Sequence, residues 1–329
     1  MQPTSNRTIF RARAVFYSPA GLLGALFVLL LFSGVEQRAT AQTFVASPQI
    51  RMLQNSLRTA AQQHANAEQM GKLWHSLGVQ YQNGFDYENA EDAYARAIHL
   101  LRNTALKEEY ADSLHSIADI YLMQGRLKEG GNNDAEALAI FEELGQTRNA
   151  ALVRCTTAMR LLREHKFAEA EAQASAALTG LESLGARSEV ESAYLTRARA
   201  IAGEGRPAAA LEDVGRARAM ATKDLNSNSI DAVAILLVQG EIQMQGGMDA
   251  EGEQSLAEAL KRARSMTGLP PATQASLEAS ILDREATSLR KAHHNDEAKV
   301  LEAQMKRAIA TASSACNGCT VNVASLLPQ

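Results

Sequence analysis

Ala97, Ala137, Ala177 and Ala217 stand 40 residues apart, each in a segment whose other apolar residues fall at helical spacing. The first complete unit runs from Gly71 to Arg102. Trp74, Leu77, Gly78 and Tyr81 share one helical face, Asn83-Gly84-Phe85-Asp86 supplies a turn, and Ala90, Tyr94 and Ala97 mark a second helix. Gly78 and Ala90 are small enough to let two antiparallel helices approach closely, with Trp74, Tyr81 and Tyr94 filling the space around them. The columns return at Leu114, Ile117, Ala118, Tyr121 and Ala137, then at Ala158, Leu161, Phe167, Ala170 and Ala177. A fourth set holds Tyr194, Ala198, Ile201, Ala210 and Ala217; a fifth Leu236, Gly240, Gly252, Leu256 and Ala259; a sixth Leu282, Ala286, Leu289, Ala298 and Met305. A single helical hairpin cannot bury its own apolar face, so hairpins that recur in this way are expected to stack into a continuous core.

Composition supports helix throughout. Ala, Leu, Glu and Arg recur, aromatic content is 5%, and Val, Ile and Thr form no alternating run before the last dozen residues. Breaker chemistry separates the units at Gly145-Gln146-Thr147, Gly185-Ala186-Arg187, Asn226-Ser227-Asn228 and Gly268-Leu269-Pro270-Pro271. No long Gly/Ser/Pro-rich linker divides the array, which therefore reads as one domain over residues 70–311, preceded by a capping helix within 42–69 and followed by a tail over 312–329.

The first 41 residues have another logic. Arg7, Arg11 and Arg13 precede an apolar stretch from Ala20 to Phe32, and Ala39-Thr40-Ala41 has the small-x-small form that signal peptidase reads. The expectation is an exported protein, periplasmic or extracellular, that begins at Gln42; an uncleaved membrane anchor is the alternative, although the apolar stretch falls short of the roughly 20 residues a bilayer needs. Loss of Arg7, Arg11, Arg13, Arg38 and Glu36 takes the formal charge from −4 to −7. An acidic surface does not attract phosphate backbones, so nucleic acid is not an expected partner.

With these columns in view, the first unit resembles a tetratricopeptide repeat (TPR): Trp74-x2-Leu77-Gly78-x2-Tyr81, followed by Ala90, Tyr94 and Ala97, matches that family's pattern. The resemblance covers about 240 residues and departs at Gly130 and Asp134, where Ala and an aromatic are usual, at Arg197 in place of a core apolar residue, and at Gln243 in place of Tyr. Steps of 40 or more resemble the family's long-period variant. The resemblance implies an all-α, right-handed superhelical solenoid of about six helix-turn-helix repeats, with the first helix of each lining a concave groove.

The positions implied to face that groove are His75 and Val79, His115 and Asp119, Cys155 and Met159, Leu195 and Arg199, Leu237 and Glu241, and Asp283 and Thr287. A groove polar at its ends and more apolar in the middle suits an extended segment or amphipathic helix of another protein. The carboxylate clamp of some members is not reproduced: Val79 and Asp119 stand where Asn is wanted, and only Lys72 suits the role.

Other chemistry is thin. His75 and His115 share a column near Asp112 and Asp119, but a metal needs three or four converging ligands. His293-His294-Asn295-Asp296 falls where a turn is needed, and Asp224-x-Asn226-x-Asn228 lacks the Gly and the Glu of a calcium loop, with Ser229 and Ile235 in their places. Cys316-Asn-Gly-Cys319 reads as a local disulfide in an oxidising compartment or as free thiols, with Cys155 left over. Neither a nucleophile elbow, a phosphate-binding loop nor a paired-carboxylate pocket is present. The sequence therefore points to a protein-binding scaffold or adaptor without cofactor, metal or catalysis; a peptide-sensing receptor and an accessory subunit of an envelope enzyme or assembly complex are the alternatives.

Overall fold

The computed structural model describes residues 47–315 apart from 85, 222–228, 268–270 and 292. The signal-like segment, the Asp224–Asn228 segment and the Cys316/Cys319 pair lie outside the described residues. Those described form thirteen successive helices and no strand: α1 (Pro48–Gln62), α2 (Ala67–Asn83), α3 (Tyr87–Leu101), α4 (Lys107–Met123), α5 (Leu127–Glu143), α6 (Thr147–Arg163), α7 (Phe167–Ser183), α8 (Arg187–Gly203), α9 (Pro207–Met220), α10 (Ile230–Gln245), α11 (Asp249–Arg264), α12 (Pro271–Lys291) and α13 (Asn295–Ala315). After α1 they pair as six hairpins, each packed on the next, and the whole is an all-α solenoid.

One kind of turn recurs along the chain. An N–H reaches back five residues to a carbonyl in the last turn of the preceding helix, as in Arg126 to Tyr121, Gln146 to Phe141, Lys166 to Leu161, Ala186 to Leu181 and Arg206 to Ile201, at 2.8–3.2 Å. The residue just before the donor takes the left-handed conformation that this closure requires: Gly125, Gly145, His165, Gly185 and Gly205. Such a Schellman closure satisfies orphan carbonyls in three residues of loop and turns the chain straight into the next helix, so α5 to α9 start without any side-chain cap. Side-chain caps are present at Ser47 on α1, the reciprocal Asn66–Gln69 box on α2, Asp86 on α3 and Ser229 on α10.

The recurring alanines are the hinge of the packing. Ala97, Ala137, Ala177, Ala217 and Ala259 all lie on second helices and are fully buried, and Met305 takes that position in α13. Gly78 brings α2 against α3 so closely that a methyl group there would lie 2.7 Å from the Tyr94 ring. The interior is spread over linked clusters along the solenoid and has no single centre. α1 closes the N-terminal end by seating Ile50 and Leu57 on the first hairpin, where Gln54 Nε2 also donates to the Tyr81 hydroxyl at 2.9 Å.

Candidate functional site

The first helices of successive hairpins lie side by side, and they do so unequally. α2, α4 and α6 touch one another sparsely, whereas α6–α8, α8–α10 and α10–α12 pack more extensively. α10, apolar on nearly every side, is buried almost all round its circumference. This divides the expected groove positions into two groups.

In the first three hairpins all of them but Met159 remain partly accessible. Lys72 is exposed and pairs with Glu109 of α4 at 3.0 Å. His75 is half-buried; its Nδ1 lies 2.9 Å from Ser113 Oγ, and its ring leans on Tyr94. Burial lowers its pKa to about 4, the carboxylate of Glu109 acting weakly the other way. Val79 is half-buried against the first core cluster. His115, Asp119 and Cys155 are half-buried as well, with His115 Nδ1 3.0 Å from Asp134 Oδ1 and Asp119 accepting from Thr156 Oγ1 at 3.0 Å. Burial pushes the Cys155 thiol up to about 12, helped by Glu189, which leaves it unreactive as a nucleophile.

From Met159 of α6 through α8 and α10 the expectation of an open apolar lining is corrected. Met159 is 5% exposed, Leu195 2% and Leu237 0%; all three belong to the core between hairpins. Arg199 and Glu241 are buried too, joined by Arg199 Nε donating to Glu241 Oε2 at 2.9 Å. Arg284 Nη1 approaches the other oxygen at 3.1 Å as an ion pair rather than an aligned hydrogen bond. For Leu195 and Leu237 the reason is helix spacing: where first helices lean on each other, the column meant for a ligand meets the next helix instead; Met159 is covered by Leu122 and Met123 at the end of α4. Beyond them Asp283 is half-buried and Thr287 exposed.

Two polar pairs were not foreseen. Asp134, which stands where an aromatic is usual, is the buried partner of His115. Arg197, in place of a core apolar residue, makes a two-pronged pair with fully buried Asp213 at 2.6 and 2.9 Å and lies over the Tyr194 ring. These two departures from the repeat pattern thus have their partners on the other helix of the same hairpin. The signal was available in the odd residue itself, which needed a complement 16 to 19 positions away.

No group of three or more His, Cys, Asp or Glu among the described residues is arranged to hold a metal ion. His75 turns to Ser113, His115 to Asp134, and His294 to Glu297 and Glu253 beside the hairpin turn of α12 and α13. No described helix is long and apolar enough to cross a membrane. At the N-terminal end, Pro48, Arg51, Met52, Asn55, Ser56, Thr59, Ala60 and Gln63 line a shallow open depression along one side of α1.

No protein-family model matches the sequence, and no curated protein matches it. Solved structures do match the fold. A Rap protein complexed with competence and sporulation factor is 14% identical with a TM-score of 0.59, over 80% of this chain and 81% of that one. BtubC (BKLC) from P. vanneervenii is 20% identical with a TM-score of 0.53, over 68% of this chain and 92% of that one. The apo form of the quorum sensor NprR from B. thuringiensis is 14% identical with a TM-score of 0.53, over 79% of this chain and 75% of that one. The chain therefore shares a TPR-like helical-repeat fold with these proteins.

Proposed function

We propose that this protein is a non-catalytic, long-period TPR-like scaffold or adaptor of the cell envelope or exterior, which holds a polypeptide segment along the first helices of its first three hairpins. The observation that carries the reading is the uneven spacing of first helices: α2, α4 and α6 leave side chains of one face partly accessible, while the column on α8 and α10 is closed. That face offers Lys72, Val79 and a row of hydroxyl, imidazole and carboxylate groups, the mixture an extended segment uses for apolar anchors and flanking polar contacts. Export is supported by the basic start, apolar stretch and Ala39-Thr40-Ala41.

The test is retention from the native envelope fraction on immobilised full-length mature chain, with retained proteins identified by mass. Lys72→Glu combined with Val79→Ser is expected to lose the specific partner while helicity is kept. Retention unchanged by that double substitution counts against this face as the site. Fractionation should recover a mature chain starting at Gln42 outside the cytoplasm; recovery of the intact chain in the cytosol counts against export.

A second reading, a peptide-sensing receptor, is favoured by the Rap and NprR neighbours, which align along most of this chain and whose names refer to a bound factor and to quorum sensing. A sensor should compact saturably in small-angle scattering as a peptide is added, whereas a scaffold should hold its dimensions. The third reading, an accessory subunit, would appear as co-purification with a catalytic partner.

A further inference from the structure

Asp112, His115 and Asp119 lie on one stripe of α4 at three- and four-residue spacing. His115 Nδ1 meets Asp134 Oδ1 of α5 at 3.0 Å, Asp119 accepts from Thr156 Oγ1 of α6 at 3.0 Å, and Asp112 accepts from Asn149 Nδ2 of α6 at 3.4 Å. The same stripe therefore ties the second hairpin internally and fastens it to the third. The imidazole thus touches Asp134, with Asp112 and Asp119 on its own helix near enough for their charges to act on it. The groups facing them from α3 are Tyr87 and Tyr94, from α2 His75 against Tyr94, from the first turn of α4 Glu108 and Glu109, and from α6 Arg160. Glu109 is engaged by Lys72, and Arg160 by Glu164.

We propose that the Asp112–His115–Asp119–Asp134 cluster is a proton-operated latch between the second and third hairpins, tightening as the medium acidifies and loosening as it turns alkaline. The inference rests on the fold and this cluster, and is independent of the binding role above. Burial disfavours the charged form of each carboxylate, with Asp134 adding repulsion at Asp119, so the cluster favours taking up protons. Burial raises Asp112 and Asp119 from 3.8 to about 6 and raises Asp134 above its usual range. Burial alone would lower His115, but Asp119, the bond to Asp134 and Asp112 together raise it from 6.5 to about 9.

A group whose pKa is raised on folding contributes stability below its unfolded value and loses it as pH climbs through the folded one. The contribution of His115 thus fades between 6.5 and about 9, and those of Asp112 and Asp119 fade between 3.8 and about 6. His75 opposes them: burial lowers it from 6.5 to about 4, so acid works against it over that interval. Asp112 and Asp119, with Asp134 adding to them, against His75 below pH 6, and His115 alone above 6.5, leave on the order of one proton released on opening at either end. Tyr87 and Tyr94, raised chiefly by burial, keep their protons throughout.

The experiment is hydrogen exchange on the full mature chain from pH 4.5 to 8.5, corrected for intrinsic rates and read on peptides from α4 to α6 against an α10–α11 reference. Wild-type protection of α4–α6 relative to the reference is expected to rise toward acid, approaching tenfold per pH unit. In Asp112→Asn/Asp119→Asn the dependence below pH 6 should flatten, because His75 then opposes Asp134 alone, and the dependence above 6.5 should shrink, because Asp119 and Asp112 no longer raise His115. A wild-type profile parallel to the reference, or the same profile in the double variant, overturns the latch. Should the variant fail to fold, NMR titration of the wild-type His115 ring decides: a midpoint above 7.5 upholds it, and one at or below 6.5 overturns it.

Discussion

Three glycines that look alike in the sequence have different physical roles. Gly205 sits at φ +78° with nothing within 4 Å of where a methyl group would be, so its constraint is purely conformational. Gly205→Ala should cost about 1 kcal/mol from the left-handed backbone alone. Gly78 is helical, yet a methyl group would press on the Tyr94 ring, and Gly78→Ala should cost about 1–3 kcal/mol by overpacking. Gly215 lies inside α9 with neither restriction, and Gly215→Ala should stabilise by about 0.5–1 kcal/mol. Denaturant midpoints of the three variants check the order, which would be lost if backbone conformation and close packing were not the deciding causes. His165 and His293 occupy the left-handed turn position that glycine holds elsewhere, a substitution that polar side chains tolerate better than branched ones.

Helices are decided by pattern, but their pairing by complementarity. Within the hairpin of α8 and α9, Asp213 is 0% exposed and accepts from both Arg197 and Arg216. Asp213→Ala strands a largely buried guanidinium and should cost about 3 kcal/mol, whereas Asp213→Leu with Arg197→Leu should recover most of it. Equal loss in the single and double variants would show that the pair is not coupled, and thermal melts measure both. The positions of Asp134 and Arg197 were legible as departures from the repeat; their partners were not, because periodicity reports which face a residue occupies and not what lies across from it. Similarly, Leu195 and Leu237 shared a column with His75, and the column alone carried no information on how closely adjacent first helices approach.

Along the whole solenoid, stability is a sum of hairpins and their interfaces, so a local loss need not spread. Arg199, Glu241 and Arg284 bridge the fourth, fifth and sixth hairpins inside the closed half. Burial pushes the Glu241 carboxyl upward, but Arg199 and Arg284 outweigh it and hold it below the usual 4.5. A depressed carboxylate contributes stability above its unfolded value and loses it as pH falls through the folded one, so this bridge weakens only below about pH 4.5. Glu241→Gln leaves two buried guanidinium groups facing each other and should cost about 3 kcal/mol. Hydrogen exchange is expected to report it as lost protection in α8 to α12 with α2 and α3 unchanged. Uniform loss along the chain would mean that the solenoid melts as one cooperative unit.

The recurrence of alanines and the Gly-centred turns were enough, by themselves, to determine helix, hairpin and stacking, because each depends on residues near in the chain: a 3.6-residue face, a left-handed turn residue, a small side chain where two helices cross. What the tertiary structure alone decided is where the solenoid is open and where it is closed, and which buried charges meet. Those outcomes depend on distances between helices some 40 residues apart in the chain. Interhelical distances follow from the summed side-chain volumes of every layer in between, a quantity no single column of the repeat contains.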